Sequence, residues 1–238
     1  MRVLIGYDDR ERDAWNVAAH SLRQHSGIRA EPLIESTMRE RGLFWRPVDR
    51  RGRIHDLTSG VDQSTQFATL RFLTPLLGLR GWVLFVDCDV VFLRDPREML
   101  ADAWDGFAVL VVKHSDSSHV QAEKMDSVPQ RIYRRKNWSS VILFNCDHPA
   151  NRRLTLNSVN TWHRDFLHSF GWLNDAEIGA LPAGWNWLVG EQLAPDGLAL
   201  AHFTLGGPWL PGWAMKDHDR IWNEACLRMQ ADRSFQPL

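Results

Sequence analysis

The sequence has few cysteines, little net charge and no long apolar run, and each of these shortages excludes a class of protein. Its 3 cysteines are scattered without metal-binding or redox spacing, which is typical of reduced thiols and hence of a cytoplasmic protein. The 28 Lys and Arg residues nearly balance the 29 Asp and Glu residues, so no basic field favours nucleic acid or an anionic membrane as a partner. The longest apolar runs are strand-sized, well short of the roughly 20 residues that cross a bilayer. We therefore expect no transmembrane segment.

Strand and helix patterns alternate along the whole chain. One strand is predicted over 2–7 and another over 30–35. Between them, the N-cap candidates Asp8 and Asp9 precede a helix over 11–25, and this order is typical of a parallel sheet. The pattern predicts one α/β domain with a mainly parallel central sheet flanked by helices. The other predictions are strands over 82–87, 107–112, 139–145 and 198–203, helices over 64–75, from 96 onward, over 150–170 and over 219–231, and irregular stretches over 40–64 and 113–130.

Two aspartates, Asp87 and Asp89, stand at the end of the apolar strand over 82–87. Residues two apart point to the same face of a strand, with backbones about 6–7 Å apart. Two carboxylates that close repel by roughly 3 kcal/mol at an effective dielectric of about 20. A divalent cation would remove this repulsion, and oxygen ligands favour Mg²⁺ or Mn²⁺ over zinc. The alternative is a pair of turn carboxylates that cap the next segment. Cys88 is expected to pack on the other face.

The stretch from Trp82 to Pro96 resembles the Asp-x-Asp region of GT-A glycosyltransferases, in particular the family-8 group of glycogenin and bacterial lipopolysaccharide galactosyltransferases. Further motifs of that family have similar segments here, in the same order, over 64–75, 138–145, 181–186 and 202–209. The resemblance implies a single Rossmann-like glycosyltransferase domain over 1–238. It also implies a nucleotide-binding half over 1–112 and an acceptor-side half over 113–238.

The resemblance implies a metal site and a donor site. Asp87, Asp89 and His202 would hold Mn²⁺ or Mg²⁺ at the diphosphate of a UDP-sugar, although His202 could also be an ordinary hydrogen-bonded histidine. Arg71 lies on an otherwise apolar helix face and would bind the diphosphate, or else pair with a carboxylate such as Asp62.

The remaining cofactor-binding candidates are Gly6, Tyr7, Asp8, Cys88, Gly206, Gly207 and Lys216. Tyr7 could stack on uracil, with a buried ring as the alternative, and Asp8 could contact the nucleoside or simply cap the first helix. Gly207 occupies the place of the family's lysine before Pro-Trp, and Lys216 is the nearby residue that could replace that lysine.

The catalytic candidates are Asp175, Glu177 and Asn145. The family's Asp-Gln-Asp segment, which contacts the donor sugar, has no clean match. Asp175 and Glu177 lie at a suitable place before the segment over 181–186. Asn145 ends the strand that resembles the family's Asn-Ser-Gly strand, in which Trp138 replaces the first asparagine.

Two further groups of side chains are candidates for contacts with a substrate. A basic cluster before the strand over 139–145 is either a solvated face or a loop that closes over the nucleotide or recruits an anionic acceptor; it comprises Arg131, Arg134, Arg135 and Lys136. The sequence also has 12 tryptophans against 2 tyrosines. An indole offers a flat surface for the apolar face of a sugar ring. The tryptophans that flank the family motifs are Trp185, Trp187, Trp209 and Trp213.

The resemblance therefore implies a metal-dependent, retaining glycosyltransferase that moves a hexose from a UDP-sugar to an unidentified hydroxyl acceptor. A catalytically impaired UDP-sugar-binding protein of the same fold is one alternative, because the motif lysine and the Asp-Gln-Asp segment are missing. A sugar nucleotidyltransferase is the other, and the lack of a Gly-rich basic loop after the first strand argues against it.

Overall fold

The computed structural model describes residues 1–115 and 135–238. Its strands are β1 (Arg2–Gly6), β2 (Glu31–Leu33), β3 (Val48–Asp49), β4 (Ile54–Asp56), β5 (Val61–Gln63), β6 (Trp82–Val86), β7 (Val90–Phe92), β8 (Val109–Val111), β9 (Val141–Asn145), β10 (Ile178–Ala180), β11 (Trp187–Leu188) and β12 (Leu200–His202). Its α-helices are α1 (Arg12–Ser26), α2 (Glu35–Glu40), α3 (Leu156–Thr161), α4 (Arg164–His168) and α5 (Arg220–Ala231).

A central six-stranded sheet has the strand order β10-β8-β9-β6-β1-β2. The pairs β1–β2, β1–β6 and β8–β10 are parallel, whereas β9 runs antiparallel to both of its neighbours, β6 and β8. The carboxyl ends of β1, β6, β8 and β10 therefore lie at one edge of the sheet, together with the amino end of β9. The prediction of an α/β fold with a mainly parallel sheet is confirmed. The sheet contains strands from both sides of residue 112. The division into a nucleotide-binding half over 1–112 and an acceptor-side half over 113–238 therefore stays a prediction about function.

Helix α1 connects β1 to β2 and covers one face of the sheet. Asp8 accepts a hydrogen bond from the Arg10 backbone N–H at the start of this region, as an N-cap does. The helix ends at Gly27, whose φ of 71° allows its N–H to bond the Arg23 carbonyl. The apolar side of α1, which includes Ala14, is buried in the core. The predicted strand–helix–strand unit is confirmed.

A second, three-stranded sheet follows the Asp-x-Asp stretch. β12 lies between β11, with which it is parallel, and β7, with which it is antiparallel. In this register His202 is the partner of Val90, the residue after Asp89. The Phe203 N–H donates to the Asp89 carbonyl at 2.9 Å, which continues the pairing by one residue. The pairing of β12 with β7 thus places His202, at the end of β12, close to the end of β6.

The region predicted as irregular over 40–64 instead holds a third sheet, β3-β4-β5. It is fixed by a buried ion pair in which the Arg46 Nε and Nη2 atoms donate to the two oxygens of Asp56 at 3.0 and 2.7 Å. Both side chains are fully buried. The Arg46 Nη1 also donates to the carbonyls of Val159 and Trp162, at 3.0 and 2.9 Å. The polar composition of this region therefore gave no indication of the sheet. The buried charge of Arg46 is balanced by Asp56, and its Nη1 group bonds backbone carbonyls from a distant part of the chain.

Two of the predicted helices are wrong in form. The segment over 64–75 is a set of turns followed by a 3₁₀ helix, Leu70–Leu76, with Pro75 inside it. The segment over 150–170 is divided into a 3₁₀ turn, α3 and α4. Thr155 accepts from the Ser158 N–H and His163 from the Asp165 N–H, so each side chain caps a new helix.

The other element predictions hold with shifted ends, except for the helix after Asp95. The predicted strands near 82, 107, 139 and 198 correspond to β6, β8, β9 and β12, and the last helix corresponds to α5. The predicted helix after Asp95 is a 3₁₀ helix, Pro96–Asp102, and Asp95 caps it by accepting from the Arg97 N–H. The irregular stretch predicted over 113–130 lies outside the described residues from residue 116 onward.

Candidate active site

A cavity opens at the sheet edge where β6 ends and β9 begins. It is lined mainly by polar side chains from six separate parts of the chain: Glu11, Ser64, Thr65, Ala68, Arg71, Asp87, Asp89, Asn137, Ser139, Ser140, Arg164, His168, His202, Thr204 and Gly206. In open α/β sheets, ligands bind in the crevice outside the carboxyl ends of the strands. The cavity is therefore the candidate active site.

Three potential metal ligands converge in this cavity. Asp87 and Asp89 follow β6, and His202 ends β12, so the β7–β12 pairing brings the histidine to the two carboxylates. Ligand atoms of the three side chains all lie within 4.8 Å of one another. The His202 Nε2 is 3.2 Å from the Asp89 Oδ1. The three residues predicted as metal ligands are thus in one place.

Arg71 lies beside this triad. Its Nη1 is 2.8 Å from the Asp87 Oδ1, and the same atom donates to the Ser139 carbonyl at 2.6 Å. The guanidinium carbon is 5.0 Å from the centroid of the Phe85 ring, and the side chain is almost fully buried. The alternative of a carboxylate partner is therefore the arrangement seen in this structure, but the partner is Asp87 rather than Asp62, which contacts His55 at 2.7 Å. The Arg71 guanidinium therefore holds the carboxylate of Asp87, one of the candidate metal ligands, in place.

Glu11 is a cavity residue that sequence reasoning missed. It is buried, and its Oε2 accepts a hydrogen bond from the Cys88 thiol at 2.8 Å. Burial, with a contribution from the negative charge of Asp89, raises the pKa of Glu11 from 4.5 to about 8. Nothing in the local pattern distinguishes Glu11 from the helix-starting acids Asp8 and Asp9, because its contact with Cys88 joins distant parts of the chain.

Cys88 packs in the hydrophobic core, between the two aspartates in sequence. It is fully buried and does not line the cavity. Burial raises the pKa of its thiol well above the usual value. Its assignment as a cofactor-binding residue is not supported by this position.

The part of the cavity wall formed by the segment before β9 and by α4 was also missed in part. The Ser139 Oγ is 2.7 Å from the His168 Nδ1, and the Ser140 Oγ donates to the Asn137 carbonyl at 2.8 Å. Arg164, at the start of α4, donates from Nη1 to the Asp62 carbonyl at 2.6 Å. The Ser-Ser pair before β9 is a usable sequence signal. His168 and Arg164 gave no such signal, since α4 was predicted as the middle of a longer helix.

The nucleotide-contact candidates at the end of β1 form core and cap contacts. The Tyr7 ring is buried, with its centroid 6.3 Å from that of Trp15, and Asp8 accepts from the backbone N–H groups of Arg10 and Gln66. A Cβ on Gly6 would lie 2.4 Å from the Phe67 ring, so glycine is required there by packing. The prediction that Tyr7 stacks on uracil is wrong for this conformation, because the ring is enclosed.

The three candidates around the late Gly-Gly turn differ in position. Gly206 lines the cavity, with a φ of 100°. Gly207 packs against Trp209, since a Cβ there would lie 2.1 Å from the indole. Lys216 is exposed, and its Nζ is 4.4 Å from the centroid of the Trp213 ring. Lys216 is therefore not placed to stand in for the family's lysine.

The three catalytic candidates do not lie in the cavity. Asp175 pairs with Arg135, and Glu177 pairs with Arg153 at 2.7 Å, both at the amino end of β10. Asn145 is the register partner of Trp82, the first residue of β6, so it lies at the opposite sheet edge from Asp87.

The physical reason for the Asn145 error is strand direction. β9 runs antiparallel to β6, so the amino end of β9 is the end that meets the cavity. Asn137, just before this end, lines the cavity in its place, with a left-handed φ of 63°.

The predicted sugar platforms divide into core and surface residues. Trp185 and Trp187 are buried in the core. Trp209 packs against Phe203 and Trp222. Trp213 lies beside Gly206 and donates from Nε1 to Asp219 at 2.8 Å. Trp213 is thus the tryptophan of this set that remains next to the cavity lining.

The basic cluster is described only in part. Arg131 and Arg134 lie outside the described residues. Arg135 and Lys136 are buried, so these two do not form the solvated charged face that was one interpretation of the cluster.

Among the described residues, no helix combines the length and the apolar character that a membrane crossing requires.

Several solved structures share this architecture. GlyE, a glycosyltransferase of Streptococcus pneumoniae TIGR4, matches with a TM-score of 0.58 at 13% identity, over 95% of this chain but 60% of that chain. The galactosyltransferase LgtC, solved with donor and acceptor sugar analogues, matches with a TM-score of 0.55 at 13% identity, over 100% of this chain and 98% of that one. Mouse xyloside xylosyltransferase 1 matches with a TM-score of 0.51 at 10% identity, over 87% and 99% of the two chains. The chain therefore has the GT-A-type glycosyltransferase fold.

A nearer relative is found by sequence. The chain is 40% identical to Protein CDI of Arabidopsis thaliana over 229 residues, which cover 93% of this chain and 84% of that protein. The chain belongs to the Protein CDI family. No model of a known protein family matches it.

Proposed function

We propose that this chain is a metal-dependent, retaining glycosyltransferase that moves a hexose from a UDP-sugar to a hydroxyl acceptor. The observation that carries the proposal is the convergence of Asp87, Asp89 and His202 beside Arg71 at the carboxyl edge of the sheet. The fold supports the same class of reaction, since solved proteins with this architecture are glycosyltransferases.

The donor set fits a divalent cation. Two carboxylates and one imidazole, with ligand atoms within 4.8 Å of one another, form a mixed oxygen–nitrogen set that suits Mn²⁺ better than Mg²⁺. When bound there, such an ion would act as a Lewis acid toward the departing diphosphate. Arg71 already donates into this region and would bind a diphosphate oxygen by exchanging its contact with Asp87.

The wall formed by Asn137, Ser139, Ser140 and His168 suits a hexose. These side chains offer hydroxyl, amide and imidazole groups in the same cavity as the metal ligands. Such groups both donate and accept hydrogen bonds, as recognition of several sugar hydroxyls requires. Arg164 and Thr204 extend this polar lining.

The ionisation of the cavity carboxylates supports front-side attack with retention. Among the described residues, the carboxylates that line the cavity are Asp87, Asp89 and Glu11. The first two are metal-ligand candidates. Glu11 bonds the Cys88 thiol, and burial raises its pKa to about 8, so it is mostly protonated near neutral pH and is a poor nucleophile. A double-displacement route through an enzyme carboxylate is therefore disfavoured.

A second candidate function is UDP-sugar binding without efficient transfer. It is favoured by the position of Lys216, which lies on the surface against Trp213, while Gly207 packs on Trp209. Among the described residues that line the cavity, no lysine then stands at this turn to stabilise the leaving diphosphate, and Arg71 would have to do so without it.

A donor panel with a metal control separates these functions. We expect UDP release from one UDP-sugar in the presence of Mn²⁺ and its loss in EDTA. Asp89→Asn should lower turnover on the order of 100-fold or more, because it removes a charged ligand from the metal site. Asp147→Asn, at an exposed pair with Arg80, is the matched control. Mn²⁺-dependent UDP binding without turnover of any donor would favour the binding protein, and wild-type activity of Asp89→Asn would contradict the metal site.

A further inference from the structure

A buried asparagine contacts the far side of the histidine in the metal site. The Asn186 Oδ1 lies 2.8 Å from the His202 Nδ1, while the His202 Nε2 faces Asp89 at 3.2 Å. Asn186 is fully buried and His202 nearly so. Asn186 does not line the cavity, and so it cannot touch a substrate there.

The orientation of the Asn186 amide is fixed by its second contact. Its Nδ2 donates to the Asn137 carbonyl at 3.2 Å, which leaves Oδ1 directed at the imidazole. A side-chain amide turned the other way would place its oxygen against that carbonyl, and two acceptors in contact are unfavourable. Asn186 therefore offers His202 an acceptor, and a neutral imidazole must carry its proton on Nδ1.

This arrangement leaves the lone pair of the His202 Nε2 directed toward the two aspartates. The Nε2 and the Asp89 oxygen are then both acceptors at 3.2 Å, a contact that a cation between them makes favourable. Histidines that bind metals commonly donate their other ring N–H to a neighbouring acceptor, which fixes the tautomer and the ring orientation.

We propose that Asn186 is the positioning residue of the metal site: it holds His202 with Nδ1 protonated and Nε2 presented as the ligand atom. The inference rests on the proposed function in one respect, namely that the triad binds a divalent cation. It adds that the affinity of this site depends on a residue outside the cavity. Through Asn137, the same amide joins the metal ligand to the segment before β9, which also lines the cavity.

Three variants test the role of Asn186. Asn186→Leu keeps the branched shape of the side chain and removes the acceptor, and we expect Mn²⁺ binding, measured by calorimetry, to weaken about 10–100-fold. Asn186→Asp keeps an acceptor for the Nδ1–H and should recover an affinity within about threefold of the wild type. Asn151→Leu is the matched control, because Asn151 is an equally buried amide that donates to the carbonyls of Ala108 and Asn145 at the other sheet edge.

A spectroscopic readout separates positioning from mere stability. In the metal-free protein at a pH of about 9, well above the ordinary imidazole pKa, ¹⁵N NMR should show the His202 proton on Nδ1 in the wild type and in Asn151→Leu. Asn186→Leu should move it, in whole or in part, to Nε2.

The outcomes distinguish the two proposals. A wild-type chain with no measurable Mn²⁺ affinity would overturn the proposed function, whatever the NMR result. Wild-type Mn²⁺ binding that is equally strong in Asn186→Leu, or an unchanged tautomer in that variant, would overturn the positioning role alone. Equal losses in Asn186→Leu and Asn186→Asp would also overturn it, because they would trace the effect to the Asn137 contact.

Discussion

The Arg71 guanidinium and the Asp87 carboxylate contact each other inside the candidate active site, with Nη1 and Oδ1 2.8 Å apart. Arg71 also donates to the carbonyls of Ala68 and Ser139, so its position is fixed by the protein rather than by the carboxylate alone. The same carboxylate is a candidate metal ligand. A cation of the protein and a bound metal ion would therefore compete for Asp87 until a diphosphate gives the arginine another partner.

This competition predicts opposite effects of Arg71→Ala on metal and on nucleotide. We expect the affinity for Mn²⁺ alone to rise, because a positive charge leaves the site, and the affinity for UDP with Mn²⁺ to fall. Each change should be on the order of tenfold, the size of about 1.4 kcal/mol. Calorimetric titration with MnCl₂ and then with UDP measures both. Arg80→Ala, at an exposed pair, is the control, and a shift of both affinities in the same direction would contradict the competition.

Because the pKa of Glu11 is raised, we expect the free energy of unfolding of the metal-free protein to depend on pH in an unusual way. Its folded-state pKa of about 8 is above the ordinary 4.5, so between these values the folded chain holds a proton that the unfolded chain has lost. The stabilisation is complete below the lower value and is lost as the pH rises toward 8. Glu11→Gln should therefore be more stable than the wild type at pH 8, by roughly 2–4 kcal/mol, with little difference at pH 4.5. Urea unfolding in EDTA at the two pH values checks this, and an equal offset at both would refute it.

The buried Arg46–Asp56 pair predicts a large loss of stability on removal of one partner. Asp56→Asn leaves the Arg46 charge buried without its carboxylate, which costs about 3–5 kcal/mol. The carbonyls of Val159 and Trp162 would still accept from Arg46 but cannot neutralise it. Denaturant unfolding measures the loss. Asp49→Asn, at an exposed pair with Arg51, should change the stability by no more than about 1 kcal/mol. Similar small effects of both variants would show that the buried pair is unimportant.

We expect substitution of Trp213 to affect transfer to an acceptor and hydrolysis of the donor to different extents. It lies beside Gly206 at the rim of the cavity, where a sugar acceptor could stack on its ring. Trp213→Ala should impair transfer to an acceptor more than hydrolysis of the donor, by on the order of tenfold. Trp213→Phe, which keeps an aromatic face and loses the bond to Asp219, separates stacking from that hydrogen bond. Comparable losses of transfer and hydrolysis in Trp213→Ala would rule out an acceptor role.

Several features could be read from the sequence because they depend on neighbours along the chain. The apolar run before Asp87 defines β6, and the spacing of Asp87 and Asp89 places both carboxylates on one face. Asp95 and Pro96 mark a helix start by local capping, although the hydrogen bonding is of the 3₁₀ type. Alternation of strands and helices was enough for the α/β class.

Other features required contacts between distant segments. His202 reaches the aspartates through the β7–β12 register, and Ser139 meets His168 across a turn and two short helices. The acid Glu11 bonds the Cys88 thiol, which lies 77 residues further along the chain. No local pattern of residues encodes these distances.

Strand direction is the sharpest example of this difference. The apolar pattern is sufficient to predict a strand around 139–145 and another that ends at Asp87. The antiparallel direction of β9 relative to β6 follows only from the three-dimensional arrangement, and it puts Asn137 rather than Asn145 at the cavity. An apolar strand is equally buried in either direction, so its composition fixes that it forms, whereas the pairing of its backbone with neighbouring strands fixes which end faces the site.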